Sequence, residues 1–317
     1  MEPAVQVDQV SKRYPSQSKR LALDSITLSV ESGRLCGLVG PDGAGKTTLL
    51  RILATVLEAS SGTARIAGFD VHLQAEAARA HLGYMPQNFS LYPDLSVMEN
   101  LDFFAEIQGV SGERKKQRIE TMLAFTRLES FHKRRAAQLS GGMKKKLALA
   151  CALIHEPQVL ILDEPTTGVD PVSRRELWKM LAEVVQQGVT VLVSTPYMDE
   201  AERCQQVAIL FEGRLLVSGE PRALTDHLPF QVVEVKARPR KLMRQVVSET
   251  PGVLNWRPVG DQLRLQVPNT DSTAQKVLRS LRQNLHRASS EVRLLRLTKP
   301  AMEDVFVHLV DSQRGVA

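Results

Sequence analysis

An α/β fold is predicted: a parallel core sheet, an antiparallel β layer and an inserted helical lobe, followed by a small α+β domain. Three observations carry this reading. Leu35-Cys36-Gly37-Leu38-Val39 is a short apolar strand that runs through a glycine-rich turn into the helical Leu49-Leu50-Arg51-Ile52-Leu53. Val159-Leu160-Ile161-Leu162 is an unbroken branched run, as in a central parallel strand covered on both faces. Near Leu228-Pro229 the pattern changes to short alternating strands and helices, which sets domains at 1–229 and 230–317.

Taken in order, residues 4–34 and 62–70 read as strands and turns of the antiparallel layer. The parallel core uses 35–39, 159–163, 189–194 and 206–211. Between them, residues 95–138 are charged with helical spacing. Met98, Leu101, Phe104 and Ile107 mark one apolar stripe; Ile119, Leu123 and Phe125-Thr126 begin another. Arg134-Arg135 and Lys144-Lys145-Lys146 are charge runs of the kind that solvate a helix. From Phe230 the chain reads strand, helix around Lys241–Glu249, hairpin across Val259-Gly260-Asp261, helix from Thr273 to Leu285, strand Val292–Leu297 and a last helix from Met302 to Val310. That order is ferredoxin-like, and fold alone assigns it no activity.

Composition excludes several classes. No segment approaches the about 18 consecutive apolar residues that span a bilayer. Met1-Glu2-Pro3-Ala4 lacks a basic-then-apolar leader, so the chain is expected to stay in the compartment where it is made. Cys36, Cys151 and Cys204 are widely spaced among apolar neighbours and read as buried free thiols in a reducing cytoplasm. His81 and His155 stand without ligand spacing. The net charge of +6 sits at one end: from residue 230 there are 15 Lys and Arg against 8 Asp and Glu, and before it 26 against 27. A basic end suits anionic lipid headgroups or nucleic acid, but no aromatic platform or recognition helix accompanies it, so a solvated face is expected instead.

The chemistry begins at Gly40-Pro41-Asp42-Gly43-Ala44-Gly45-Lys46-Thr47-Thr48, which fits G-x-x-x-x-G-K-[ST] between a strand and a helix. Free backbone N–H groups and the positive helix end both face an anion there. Lys46 would reach the β- and γ-phosphates of a nucleoside triphosphate, and the Thr47 hydroxyl would hold Mg²⁺. The apolar strand ends in Asp163-Glu164. Asp163 is placed to hold Mg²⁺ with Thr47. Strand alternation turns Glu164 the other way, toward a water it could orient or deprotonate. Ser140, in Leu139-Ser140-Gly141-Gly142-Met143, reads as a helix N-cap with the bare amides of Gly141 and Gly142 behind it. One nucleotide does not need two such anion sites in one chain. Two chains facing head to tail would each lend Ser140, Gly141 and Gly142 to the other's γ-phosphate.

With these motifs in this order, residues 4–229 resemble the nucleotide-binding subunit of ATP-binding cassette (ABC) transporters, a P-loop NTPase fold. The resemblance implies ATP and Mg²⁺ as cofactors and further roles. Tyr14 would stack on adenine; Gln87, in Tyr84-Met85-Pro86-Gln87-Asn88, would touch Mg²⁺ and connect to the membrane partner; Asp170 would cross the dimer interface. The family pattern calls for a γ-phosphate-binding histidine where this chain has Pro196, which offers neither imidazole nor N–H. Thr195 or Tyr197 could substitute, and slow basal turnover is expected. The tail Lys299-Pro300-Ala301-Met302-Glu303-Asp304-Val305-Phe306 resembles that of bacterial exporters with separate six-helix, ABC-2-type permeases.

The function so implied is that of an ATPase subunit, with Glu164, Lys46 and Gln87 catalytic. It would sit on the cytoplasmic face of the bacterial inner membrane and drive multidrug-type efflux. Its partners would be permease subunits and a second cassette chain, a homodimer before a heterodimer, with Asn88–Val97 lining the permease groove. The competing readings are a soluble ABC protein acting on ribosomes or nucleic acid, and a slow nucleotide-sensing regulator. A single phosphate loop and the lack of sustained heptads weigh against the soluble reading.

Overall fold

The structure, a computed structural model, describes residues 3–14, 21–88, 91–313 and 315. The segment 4–34 is therefore described apart from 15–20, and Phe89 and Ser90 of the expected groove lie outside the described residues. The chain divides into two compact units, Met1–Pro221 and Arg222–Ala317.

In the first unit, β1 (Val5–Lys12) and β2 (Leu23–Val30) precede β3 (Leu35–Val39), which runs into α1 (Lys46–Leu53). Then come β4 (Ser61–Ile66), β5 (Phe69–Asp70), α2 (Ala75–Ala80) and β6 (Leu82–Met85). The lobe follows as α3 (Val97–Ile107), α4 (Gly112–Thr126) and α5 (Gly141–Leu153). The unit closes with β7 (Val159–Asp163), α6 (Pro171–Gln186), β8 (Thr190–Thr195), α7 (Met198–Ala201), β9 (Gln206–Phe211) and β10 (Arg214–Gly219).

The core sheet runs β10-β9-β3-β8-β7-β6, and the smaller sheet β2-β1-β4-β5. Within the core, β9, β3, β8, β7 and β6 pair in parallel, and β10 closes one edge antiparallel. All five residues of β3 and of β7 are buried. Each such Leu, Ile or Val adds about 1.5–3 kcal/mol when fully withdrawn from water, which is why these runs settle in the middle of the sheet. The strands β6 and β10 were not expected from sequence. β6 is only four residues long and carries Gly83, whose hypothetical Cβ would strike the Ala152 carbonyl oxygen at 2.3 Å.

The lobe corrects one expected stripe. The buried residues of α3 are Val97, Asn100, Leu101 and Ala105, whereas Ile107 is 62% exposed. The capping box between Ser96 and Glu99 starts the helix at Val97, and the i, i+4 row from there faces inward. In α4 the buried Ile119, Leu123 and Thr126 follow the expected spacing. Cys36, Cys151 and Cys204 are buried free thiols, and burial pushes the Cys204 thiol up to about 12.

The second unit takes in α8 (Pro221–Asp226) from Arg222 on, and then β11 (Phe230–Arg238), α9 (Arg240–Glu249), β12 (Asn255–Val259) and β13 (Gln262–Pro268). It ends with α10 (Asp271–Arg287), β14 (Glu291–Thr298) and α11 (Met302–Gln313). The compact division falls somewhat before the expected 229/230 boundary, since the end of α8 and Leu228 share a cleft with Phe230 and Leu297. The sheet order β12-β13-β11-β14, antiparallel throughout, is the ferredoxin-like arrangement.

One face of this sheet packs Val233, Val235, Leu263 and Leu265 against α9 and α10. On the other, Glu234 pairs across strands with Arg264 and Arg296, and Arg257 stands directly opposite Arg264. Two arginines facing each other repel. Asp304 of α11 resolves this: it accepts from Arg257 Nη2 at 2.8 Å and from Arg264 Nη2 at 2.6 Å. The basic surplus is therefore partly consumed inside the domain, not wholly solvated. Burial alone would raise the Asp304 pKa. Bonds from Arg264, the Ala301 N–H and Arg257 outweigh burial and hold it below the usual carboxylate range. A group depressed on folding stabilises the native state above its unfolded pKa, and that share is lost as pH falls through the folded value. Asp304→Ala should thus destabilise the second unit by about 3 kcal/mol at neutral pH, with the deficit shrinking as pH drops below the carboxylate range. Chemical unfolding followed by Trp256 fluorescence, at several pH values, measures this.

Candidate active site

β3 ends at Val39, and the chain turns sharply at Gly40. A Cβ there would lie 2.2 Å from the Leu210 carbonyl oxygen, so the loop can follow this path only with glycine. Gly45 has φ +104°, and a Cβ on it would meet the Ala22 carbonyl oxygen at 2.6 Å. It is the N-cap of α1 and supplies no side-chain bond, and the first turn carries no acid. The opening amides of α1 are therefore available to an anion. They line a cleft of about 810 Å³ with Tyr14, Asp42, Gly43, Lys46, Thr47, Thr48, Gln87 and Glu164. Leu21, Ala22, Glu212 and Gly213 complete the wall. These four carried no motif in the sequence and reach the cleft only through the fold.

Lys46 is buried, and its Nζ donates to the carbonyls of Gly40 at 2.7 Å and Pro41 at 3.0 Å. The ammonium lies 3.8 Å from Glu164 Oε1. Burial holds its pKa below the usual lysine value, against the pull of Glu164, Asp42 and Asp163. Tyr14 touches Thr48 through its hydroxyl, 3.4 Å from Oγ1, and the Lys12 ammonium sits 5.6 Å from its ring centre.

The two carboxylates do not face opposite ways as strand alternation suggests. β7 ends at Asp163, and Glu164 has φ +48°, outside the pleat. Both acids contact the start of α1, Asp163 through Thr47 and Glu164 through Lys46. Thr47 Oγ1 donates to Asp163 Oδ1 at 3.1 Å, and Ser194 Oγ donates to the same atom at 2.7 Å. Ser194 Oγ in turn accepts from the Glu164 N–H at 2.9 Å. Glu164 Oε2 accepts from Gln87 Nε2 at 2.9 Å and Thr167 Oγ1 at 3.1 Å.

Asp163 Oδ2 is buried and has no hydrogen-bond partner among the described residues. A hard cation that takes oxygen ligands and keeps several waters suits such an atom. The Thr47 hydroxyl, the Asp163 carboxylate and the Gln87 amide are the donor set that would hold Mg²⁺.

The second anion-ready helix start lies outside this cleft lining. Ser140 N-caps α5, its Oγ accepting from the Met143 N–H at 3.3 Å, and Gly141 is exposed beside it. A Cβ on Gly142 would strike Ser173 Oγ at 2.4 Å, so this turn packs closely on the first turn of α6. Asp170 N-caps α6, its Oδ1 accepting from the N–H groups of Val172 and Ser173, both at 3.0 Å. Bonds from Ser173 and Val172 hold the Asp170 carboxyl below its ordinary value.

Pro196 also lies outside the cleft lining, half-buried just after β8. Thr195 Oγ1 is committed to Glu200 Oε2 at 2.5 Å. The Tyr197 ring, 42% exposed overall, lies 4.8 Å from the Arg174 guanidinium carbon. Neither hydroxyl reaches the cleft lining here.

Two residues of the Lys144-Lys145-Lys146 run are not solvated charges: the Lys146 ammonium, its side chain 14% exposed, pairs with Glu176 at 2.6 Å. Lys145 is 4% exposed, and its Nζ donates to the Gln87 carbonyl at 3.3 Å. It shares the inward stripe of α5 with Gly142 and Leu149, a spacing readable once the helix start is known. His81 stacks on Phe69, and His155 approaches the Leu82 carbonyl; both serve packing.

Residues 23–167 match the family model described as ABC transporter. The chain is 43% identical over 304 residues to the probable multidrug ABC transporter ATP-binding protein YbhF of Escherichia coli, covering 95% of this chain and 51% of that protein. It therefore spans about half the length of that relative. It is 38% identical to the Nod factor export ATP-binding protein I of Paraburkholderia xenovorans, covering 96% of this chain and 99% of that one. Among solved structures, the dimeric ATP-binding cassette MJ0796 bound to ADP and Pi superposes with a TM-score of 0.63 at 26% identity, over 68% of this chain and 98% of that one. With its phosphate loop, paired carboxylates and second capped helix start in one sheet framework, this chain belongs to the ABC transporter ATP-binding family.

Proposed function

We propose that the chain is the ATP-binding and ATP-hydrolysing subunit of a bacterial exporter, peripheral to the cytoplasmic face of the inner membrane. It would act on separate permease subunits as one half of an ATP-sandwich dimer, the other half a second copy of itself. The observation that carries this is the division of the site. Tyr14, the phosphate loop, Lys46, Gln87 and Glu164 line one cleft, while Ser140, Gly141, Gly142 and Asp170 stand ready outside it. The exporter assignment draws on relatives named for multidrug transport and Nod factor export.

In this reading the adenine stacks on Tyr14 and the phosphates take the amides of α1. Lys46 exchanges its two carbonyl contacts for β- and γ-phosphate oxygens, a stronger charge-assisted pairing. Mg²⁺, held by Thr47, Asp163 and Gln87, would neutralise phosphate charge when bound. Glu164, kept in place by Gln87 and Thr167, orients the attacking water and receives its proton. The partner copy brings Ser140 and its glycine amides to the γ-phosphate and closes the cleft to solvent, with Asp170 at the seam. Closure moves the permease, and phosphate release reopens the pair. The permease contact is assigned to the Asn88–Val97 stretch.

Glu164→Gln is expected to keep ATP binding, lower hydrolysis by about a hundredfold or more, and accumulate an ATP-dependent dimer in size-exclusion chromatography. Lys46→Ala should weaken ATP binding itself. A Glu164→Gln protein hydrolysing at the parental rate would remove Glu164 from the mechanism.

Pro196 offers no donor to the γ-phosphate, and a lost contact of that kind costs on the order of 3 kcal/mol in the transition state. Pro196→His should therefore raise the purified protein's ATPase rate by about tenfold or more. An unchanged rate alongside a strong loss in Tyr197→Phe would assign the contact to the phenol.

A further inference from the structure

Glu200 is fully buried, yet it carries a carboxylate that no part of the scheme above uses. It lies in α7, three residues beyond Tyr197. Four donors converge on it, from three separate segments around the nucleotide cleft. Oε2 accepts from Thr195 Oγ1 at 2.5 Å and from Thr166 Oγ1 at 3.0 Å. Oε1 accepts from Arg174 Nε at 2.6 Å and from Trp178 Nε1 at 3.2 Å. Thr195 is the last residue of β8 and precedes Pro196. Thr166 follows Glu164 by two. Arg174 and Trp178 belong to α6, the helix that Asp170 caps.

The turn at Pro196 is closed on the same knot. The Tyr197 N–H donates to Thr195 Oγ1 at 3.1 Å, and Arg174 covers the Tyr197 ring while also binding Asp199 at 3.1 Å. Withdrawing a carboxylate from water is costly, and an apolar residue of similar volume often serves stability as well. What an apolar residue cannot do is fix three segments in one mutual geometry through directional bonds.

We propose that Glu200 is a positioning residue of the ATPase site, locking the turn at Pro196 to the helix capped by Asp170 and to the loop after Glu164. In a chain whose residue 196 carries no phosphate donor, the turn is then placed from behind, by Glu200, instead of by a contact with nucleotide. The inference rests on the ATPase reading above.

The test uses Thr195→Val, which removes the turn's donor and leaves the buried Glu200–Arg174 pair intact, with Thr195→Ser as the conservative control. Trp178→Phe removes a donor on the far side of the carboxylate. Turnover, ATP affinity and thermal midpoint are measured for each and for the Thr195→Val/Trp178→Phe double variant. The expected result for Thr195→Val is a turnover loss of tenfold or more with KM for ATP within twofold, and recovery to at least half the parental rate in Thr195→Ser. The double variant should lose little more than Thr195→Val alone, because one carboxylate serves both contacts. Unchanged turnover in Thr195→Val would overturn the inference. So would turnover, ATP affinity and thermal midpoint falling together with multiplicative losses, the mark of a merely structural contact. A parent protein that binds ATP without hydrolysing it would overturn the ATPase reading and this inference with it. A hydrolysing parent beside an unaffected Thr195→Val overturns this inference alone.

Discussion

Two neighbouring carboxylates held out of water at the end of one strand are the constraint around which the first unit is arranged. Asp163 is fully buried and Glu164 is 6% exposed. A buried anion persists only where donors or cations surround it. Those partners come from four segments: Thr47 and Lys46 from α1, Ser194 from β8, Gln87 from the loop after β6, and Thr167 from the loop after β7. The sheet order places β7 between β8 and β6, with β3 one strand farther on, so all four segments emerge at the same end. Ligands bind outside the carboxyl ends of parallel strands for this reason. Lys46 is the counterpart of the same constraint, since its buried ammonium is the cation nearest to Glu164 in this set.

Much of this was legible in the chain because it is local. Gly40 to Thr48 must turn tightly and then start a helix, and the branched run before Asp163 can only be a covered strand. Ser140 ahead of two glycines is an N-cap by its own chemistry, and the structure has it capping Met143. What escaped depends on distant neighbours. The direction of Glu164 follows from a positive φ that no alternation rule supplies. Lys145 looks like its neighbours in sequence, and only the packing of α5 beside the Gln87 loop separates it from them. Glu212 and Gly213 reach the cleft because the β9–β10 turn folds over it, where Gly213 N–H donates to the Ala44 carbonyl. Glu200 belongs to none of the motifs read in the sequence, and its surroundings form only when Thr166, Arg174 and Trp178 arrive from elsewhere.

The second unit makes the complementary case. Alternation in β11 and β13 was readable and gave the apolar face that packs on α9 and α10. The opposite face is polar in sequence, which ordinarily means solvent. Here α11 brings Asp304 onto it, and Glu234 and Asp304 share out Arg257, Arg264 and Arg296. Net charge counted along a chain thus overstates what a surface shows when cross-strand arginines are matched by acids from another element.

The central claim is that each chain holds half of a nucleotide site, with Lys46 on one side and Ser140 of a second copy on the other. Mixing two singly impaired proteins, Lys46→Ala and Ser140→Ala, tests it most directly, because a mixed dimer contains one site in which both residues are intact. The account predicts that the mixture hydrolyses ATP faster than either variant alone at the same total concentration. A mixture no more active than the average of the two separate proteins would contradict it.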